Sequence, residues 1–190
     1  MRVERIIKGV KTLGPGERLV IWTNGCNRRC EGCVSARLQE IDQSTEMDII
    51  ESLNEFVYFD VDGITISGGE PFIQIEELKK VVEFFKSKNI IDILIYTGYL
   101  FEDLIQMNNP DINYILNNIA VLIDGEYVKN LDNNNSNIKG SENQRIIYLN
   151  PDVADKYNTY ITLKRDMETY YIGNLKIGVG IPTDEYIKKF

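Results

Sequence analysis

Short apolar runs alternate along the chain with segments whose apolar residues recur every three or four positions. Apolar runs predict buried strands, and recurrence at that spacing predicts amphipathic helices. The predicted strands follow a short strand or ordered arm near Ile6, Ile7 and Val10, and they are residues 18–23, 64–67, 92–96, 119–123 and 145–149. The predicted helices are residues 44–57, 75–88 and 100–107, with a short helical turn at 114–118. This alternation predicts an α/β fold, with a parallel sheet and its helices outside.

The ends of two helices are predicted from single residues. Ser44 or Thr45 is the expected N-cap of the first helix, because a side-chain oxygen there can accept a hydrogen bond from a free backbone N–H. Asn109-Pro110 is expected to break the third helix, since the residue before a proline is driven out of the helical conformation.

The pattern changes after residue 150. Residues 130–143 are rich in asparagine, which is typical of a flexible surface loop. Beyond it, residues 160–163, 170–172 and 176–179 predict a β-hairpin or small meander. We therefore predict a core domain over 1–150 and a C-terminal β extension over 151–190 that packs on it.

Four loops that follow predicted strands carry the distinctive residues of the chain. They are the cysteine loop after residue 23, Gly68-Gly69-Glu70, Thr97-Gly98-Tyr99 and Asp124-Gly125. Because parallel strands bring their carboxyl ends to one edge, we expect these four loops to converge.

All three cysteines lie in the first of these loops, spaced Cys26-x3-Cys30-x2-Cys33 among polar neighbours. A disulfide framework is disfavoured by an odd number of cysteines this close together. Structural zinc usually takes four Cys or His ligands, and the chain has no histidine. An iron–sulfur cluster normally takes four thiolates, so three leave one iron free to bind a small molecule.

Composition and charge exclude some classes of protein. A net charge of −8 disfavours a binder of nucleic acid or of anionic membranes, although Arg28-Arg29 forms a local basic pair in the cysteine loop. The sequence shows neither the apolar core of a signal peptide nor an apolar run long enough to span a membrane. Free thiols indicate a reducing compartment, so a cytoplasmic protein is expected.

The cysteine loop resembles the signature of the radical S-adenosylmethionine (SAM) enzymes. In that family the three cysteines hold a [4Fe-4S] cluster, and the fourth iron binds the amino and carboxylate groups of SAM. The reduced cluster cleaves SAM to methionine and a 5′-deoxyadenosyl radical, which abstracts a hydrogen atom. The segment Ser67-Gly68-Gly69-Glu70-Pro71 resembles the family motif that holds the SAM amino group.

The resemblance implies a role for particular residues. Cys26, Cys30 and Cys33 would bind the cluster, and Gly32 to Val34 would lie along the adenine. Thr97 and Asp124 are candidates, by position, for the ribose or carboxylate of SAM, and Arg145 is a candidate contact for an anion. The implied cofactor-binding residues are Gly32, Cys33, Val34, Ser67, Gly68, Gly69, Glu70, Thr97, Asp124 and Arg145.

Three further segments resemble the activating proteins of anaerobic (class III) ribonucleotide reductase. They are residues 95–99, Leu122-Ile123-Asp124-Gly125 and Gly140-Ser141-Glu142-Asn143-Gln144-Arg145-Ile146-Ile147. The resemblance implies a partial (β/α)6-type TIM barrel, a glycyl radical made on the reductase, and a flavodoxin-type electron donor. The chain departs from the usual pattern of these proteins after the third cysteine, at Val34-Ser35-Ala36-Arg37, and in its longer tail after residue 150.

Two alternatives stay open at this point. One is a small radical SAM enzyme that acts on another peptide or on a small molecule. The other is a non-catalytic iron–sulfur or zinc protein that uses the loop for electron transfer or for structure.

Overall fold

A six-stranded sheet forms the centre of the protein. The computed structural model describes residues 1–56 and 60–187. The strands stand in the order β1 to β6 across the sheet, and their bounds are Val3–Val10, Arg18–Thr23, Gly63–Gly68, Ile93–Tyr96, Val121–Asp124 and Arg145–Tyr148. The four strands β2 to β5 are parallel, whereas β1 and β6 pair antiparallel at the two edges. The predicted α/β fold with a parallel centre is confirmed.

In the described part of the chain, four helices cover one face of this sheet. They are α1 (Ile49–Glu55), α2 (Ile75–Ser87), α3 (Phe101–Gln106) and α4 (Pro110–Asn118). Alternate strand residues face them, as the two-residue period of a strand requires. The shared core contains Ile21, Ile64, Ile66, Ile93, Ile95 and Leu122 from the strands, with Leu53, Leu78, Val82, Phe85, Leu104 and Ile112 from the helices. Among the described residues, no helix is long and apolar enough to cross a membrane.

The C-terminal segment covers the opposite face. Helix α5 (Ala154–Tyr160) packs on Leu94, Val121 and Ile123. Strands β7 (Met167–Ile172) and β8 (Leu175–Gly180) pair as a hairpin. Apolar residues of this hairpin pack in a second hydrophobic cluster with Val10 and Val20. The predicted hairpin is confirmed. After it, Asp184–Ile187 forms the short helix α6. The division into a core of 1–150 and an extension of 151–190 stays a prediction.

The strand predicted at residues 160–163 is wrong. Residues 154–160 are helical and end in a turn, because Val153, Tyr157 and Tyr160 fall on one face and are buried together against the sheet. Asn150 caps the preceding turn by accepting a hydrogen bond from Asp152 N. The aromatic and β-branched residues at 160–163 favour a strand locally, and packing overrides that preference.

Two helix starts differ from prediction. Helix α1 begins after Asp48, whose carboxylate accepts hydrogen bonds from Ile50 N and Glu51 N, so Ser44 and Thr45 are not its cap. Its predicted end at residue 57 lies outside the described residues. Helix α4 is longer than the predicted turn: Asn109 caps it and Pro110 occupies its first position, where a missing N–H costs no hydrogen bond.

The asparagine-rich loop is organised around Arg165 rather than being a loose surface segment. Only 2% of the Arg165 side chain is exposed, and it pairs with Asp132 at 3.0 Å. Its guanidinium donates hydrogen bonds to the backbone carbonyls of Ser136 and Lys139 at 2.7 and 2.9 Å. One buried cation thus satisfies a stretch of backbone that has neither helix nor strand bonds of its own.

A buried ion cluster closes the amino-terminal end of the strands. Arg18 is fully buried, and its guanidinium bonds both oxygens of Asp92 at 3.2 Å. Tyr157 donates a hydrogen bond to the same carboxylate at 2.9 Å, and Lys156 pairs with it. Burial alone would raise the pKa of Asp92, but Arg18 and Lys156 outweigh burial and hold that pKa below its usual value. The cluster links β2, β4 and α5.

We predict that Asp92→Asn destabilises the protein by about 3–5 kcal/mol, because it leaves Arg18 buried without its counter-charge. Urea unfolding followed by circular dichroism measures the loss. The matched control is Asp111→Asn, which removes a half-buried pair with Lys79 at 2.8 Å and should cost less than about 1 kcal/mol. Equal effects of the two substitutions would contradict the prediction.

Candidate active site

The four loops at the carboxyl ends of β2 to β5 meet at one cleft, as expected from the parallel order of the strands. The cleft has an empty volume of about 950 Å³ and is open to solvent. The end of the hairpin also reaches it. Residues on its walls include Trp22, Cys26, Arg28, Cys30, Cys33, Val34, Gln39, Ser67, Gly68, Gly69, Glu70, Thr97, Gly98, Gly125, Glu126, Tyr127, Gln144, Gly180 and Ile181.

The three cysteines are free thiols, partly exposed on the cleft wall. The backbone N–H of Arg28 donates to Cys26 Sγ at 3.4 Å. Burial raises the pKa of the Cys30 and Cys33 thiols, and hydrogen bonds from the backbone of Tyr127 and Ser35 oppose that rise. A hydrogen bond of this kind favours the thiolate, which is the form that binds iron.

The thiols are not arranged for a single metal ion. Within residues 1–56 and 60–187, no three Cys, Asp or Glu side chains are placed to hold one ion together. A cubane cluster makes a different demand, because each thiolate binds a different iron atom. Three separate thiols on one wall fit that demand.

The cysteine loop rests on the diglycine loop after β3. Gly25 O accepts a hydrogen bond from Glu70 N at 2.9 Å, and Thr23 O accepts one from Gly69 N at 2.8 Å. A Cβ on Gly69 would lie 2.1 Å from Gly25 O, well inside van der Waals contact. Glycine at position 69 is therefore required for the two backbones to come together.

Glu70 is 1% exposed and joins the loops after β3 and β4. Its Oε1 accepts hydrogen bonds from Phe72 N at 3.0 Å and from the Thr97 hydroxyl at 2.9 Å, and its Oε2 accepts one from Gly98 N at 2.7 Å. Burial raises the pKa of this carboxyl, and the three hydrogen bonds work against that rise. A carboxylate offers about four acceptor positions, and Glu70, which lines the cleft, uses three of them in these bonds.

The two arginines of the cysteine loop have different surroundings. Arg28 lies on the cleft wall, with its guanidinium 3.7 Å from the centre of the Tyr99 ring and 3.1 Å from Glu126. Arg29 is exposed and pairs with Glu40. Asn27 donates a hydrogen bond to the Tyr99 hydroxyl at 2.7 Å, so the loop tip is held against the loop after β4.

Three of the predicted site residues lie off the cleft wall. Asp124 is fully buried and accepts hydrogen bonds from Arg145 Nε at 3.0 Å and from Phe101 N at 2.8 Å. Arg145 also pairs with Glu102 at 2.6 Å, so these charges satisfy one another. Gly32 faces Lys129. The remaining predicted residues line the cleft: Cys26, Cys30, Cys33, Val34, Ser67, Gly68, Gly69, Glu70 and Thr97.

The segment before β6 braces the fourth loop. Gln144 Oε1 accepts a hydrogen bond from Gly140 N at 2.8 Å, while its Nε2 donates to Gly125 O at 2.9 Å. Asn143 donates to Glu126 O at 2.8 Å. Gln39, Glu126, Tyr127 and Gln144 also line the cleft, although no sequence pattern predicted them as site residues. Glu126 and Tyr127 could have been found, because they directly follow the Asp-Gly that ends β5.

Comparisons with known proteins agree with this geometry. A family model described as a 4Fe-4S single cluster domain matches residues 12–147. The chain is 32% identical over 155 residues to the anaerobic ribonucleoside-triphosphate reductase-activating protein of Enterobacteria phage T4, a match that covers 77% of this chain and 93% of that protein. The chain belongs to the radical SAM activating proteins.

Two further relatives carry activating-protein names. The anaerobic ribonucleoside-triphosphate reductase-activating protein of Escherichia coli (strain K12) is 29% identical over 145 residues, covering 72% of this chain and 91% of that protein. The pyruvate formate-lyase-activating enzyme of Staphylococcus aureus (strain USA300) is 36% identical over 84 residues, covering 40% of this chain and 34% of that enzyme. The resemblance found in the sequence is confirmed, and this activating enzyme has a [4Fe-4S] cluster and SAM as its cofactors.

We predict that Gly69→Ala lowers the iron content of the reconstituted protein, because the new methyl group meets the Gly25 carbonyl and pushes the cysteine loop away. Overpacking of this kind costs about 1–3 kcal/mol. Iron and sulfide assays, together with the cluster absorbance, measure the outcome.

The control for this substitution is Gly173→Ala at the hairpin tip. Gly173 has φ +57°, and a Cβ at this position would meet nothing within 4 Å, so alanine there carries only the backbone penalty of about 1–2 kcal/mol. Its iron content should equal that of the wild type. Full iron content in Gly69→Ala would show that the close approach is not needed for the site.

Proposed function

We propose that this enzyme generates a glycyl radical on an anaerobic ribonucleotide reductase. The observation that carries the proposal is the docking of a three-thiol loop on a diglycine loop that ends in a buried carboxylate. The proposal also draws on two relatives named as activating proteins of that reductase, each matched over more than nine-tenths of its length. When bound, the cluster and SAM supply reductive cleavage chemistry that ends in hydrogen-atom abstraction.

Different residues of the cleft would bind the cluster and the separate parts of SAM. Cys26, Cys30 and Cys33 would hold the cluster, and Val34 would lie along the adenine. The backbone of Gly68 and Gly69 approaches the SAM amino group, since no Cβ stands in the way. Glu70 keeps its charge aimed at the same group through the acceptor position left by its three hydrogen bonds.

Thr97 acts chiefly through Glu70 in this proposal. Its hydroxyl donates to Glu70 Oε1 and accepts a hydrogen bond from Tyr99 N at 3.1 Å, so it fixes the carboxylate. Asp124 and Arg145 have their charges matched off the cleft and would position Gly125 and Glu126 rather than contact SAM. No side chain is needed as a general base, because the hydrogen leaves the glycine as an atom.

The substrate is a glycine within the partner's polypeptide. We assign the sheet to a partial barrel of six strands, whose open side admits a loop of the partner. Val34 of the cysteine loop and Gly180 at the end of the hairpin both line this cleft, which is open to solvent. The extension 151–190 would border this entrance. A flavodoxin-type protein in the cytoplasm would supply one electron for each SAM consumed.

The chemistry is tested by anaerobic reconstitution with iron and sulfide, reduction with dithionite and addition of SAM. Wild type should form 5′-deoxyadenosine and methionine, and Cys30→Ala should form neither above background. Chromatography of the quenched reaction measures both products. The matched control is Glu31→Ala, an exposed residue of the same loop, which should match wild type.

The partner is tested by adding anaerobic ribonucleotide reductase and recording the electron paramagnetic resonance (EPR) spectrum. A glycyl radical signal that needs SAM, reductant and Cys30 supports the proposal. SAM cleavage without that signal would leave the radical chemistry in place and exclude this reductase as the substrate. A signal only with another glycyl-radical enzyme would reassign the partner.

A further inference from the structure

A second groove adjoins the cleft, between the hairpin and the short helix α6. Its empty volume is about 1010 Å³, and it is open to solvent. It is lined by Val34, Met167, Gly178, Gly180, Pro182 and Tyr186, with Lys176 further along β8. Val34 and Gly180 also line the cleft, so the groove continues the cleft past the cysteine loop. We call it the hairpin groove.

The two faces of the hairpin have different surroundings. Ile177 and Val179 pack in the second hydrophobic cluster. Because side chains alternate along a strand, Lys176, Gly178 and Gly180 lie on the opposite face, which is the face that lines the groove. Two of these three positions of β8 are glycines, so the strand presents mostly backbone to the groove.

Gly178 forms the floor of the hairpin groove. A Cβ on Gly178 would lie 2.6 Å from the Tyr186 hydroxyl and 3.3 Å from Met167 Cε. Glycine at this position therefore lets α6 approach β8, and the Met167 and Tyr186 side chains form walls beside the floor. A backbone floor between apolar walls suits an extended polypeptide, because its backbone can lie on the floor and its apolar side chains against the walls.

We propose that the hairpin groove binds the polypeptide that flanks the substrate glycine of the partner, with an apolar side chain against Met167 and Tyr186. The inference rests on the proposed function, because a glycine within a chain reaches the cleft with its neighbours attached. The cleft of about 950 Å³ is near the upper end of the usual range for one ligand, and it has to hold the cluster and SAM. The flanking residues need space outside it, and the groove supplies that space.

The test uses a fluorescent synthetic peptide that carries the radical glycine of the reductase with its flanking sequence. Its binding to the reconstituted enzyme is measured anaerobically by fluorescence anisotropy. Met167→Glu should raise the Kd of the peptide by about tenfold or more, because it places a carboxylate between apolar groups that the peptide would cover. The matched control is Leu175→Glu, which adds the same charge to an exposed residue on the opposite face of the hairpin, and its Kd should equal that of wild type.

Kinetics with the full-length reductase separate binding from the chemistry of the cleft. In Met167→Glu, the KM for the reductase in glycyl radical formation should rise, whereas kcat should equal that of the Leu175→Glu control. Cleavage of SAM without the reductase should also be unchanged, which shows that the cleft is intact. Tyr186→Ala removes the other wall without adding a charge, and it should raise the Kd and the KM in the same direction.

Three results would overturn the inference. The first is no binding of the peptide to wild type, and the second is a Kd in Met167→Glu and Tyr186→Ala equal to that of Leu175→Glu. The third is a wild-type dimer that both groove variants convert to a monomer with an unchanged peptide Kd, which would assign the groove to a second copy of this chain. Failure of the proposed function is a separate observation, namely no glycyl radical on the reductase with wild type, SAM and reductant.

Discussion

The close approach of the Gly25 and Gly69 backbones is the contact on which the site depends. It sets the cysteine loop directly on the loop after β3 that carries Glu70, with a hydrogen bond from Glu70 N to Gly25 O. Glu70 then extends the connection to the next loop through Thr97 and Gly98. The loops after β2, β3 and β4 are thereby joined. The connection between the first two loops consists of backbone hydrogen bonds alone, and the connection to the third is made by one carboxylate. These connections hold the thiols and the acceptor groups of the site at fixed positions relative to one another.

The opposite end of the strands is held by charge rather than by close backbone contact. Arg18 and Asp92 lie under the cleft at the amino-terminal ends of β2 and β4, and α5 brings Lys156 and Tyr157 to the same carboxylate. Removing one partner from a buried ion cluster is strongly destabilising, because it leaves a charge buried without compensation. The C-terminal segment is thus part of the structure beneath the site, because it supplies two of those partners, and its hairpin reaches the cleft at Gly180 and Ile181.

The sequence allowed the parallel centre, the convergence of four loops and most of the cleft residues to be predicted, since each depends on local pattern. Strand β2 spans Arg18–Thr23 as predicted, because its apolar run at 19–22 marks it locally. The strand predicted at residues 160–163 failed because the burial of Tyr157 and Tyr160 against the sheet is a long-range effect. Asp124 shows the same limit at the site. Its position at a strand end was predictable from the sequence, but its hydrogen-bonded ion pair with Arg145 on the neighbouring strand β6 was not.

That pairing changes how the segment before β6 is understood. An arginine near a cofactor site suggests an anion contact, yet the charge of Arg145 is matched by Asp124 and Glu102. The neighbouring Gln144 donates a hydrogen bond to Gly125 O at 2.9 Å, and Asn143 donates one to Glu126 O at 2.8 Å. The segment therefore fixes the loop after β5, whose residues Gly125, Glu126 and Tyr127 line the cleft. Its contribution to the site is made through backbone carbonyls, and the charge of Arg145 is used beside the cleft, on Asp124 and Glu102.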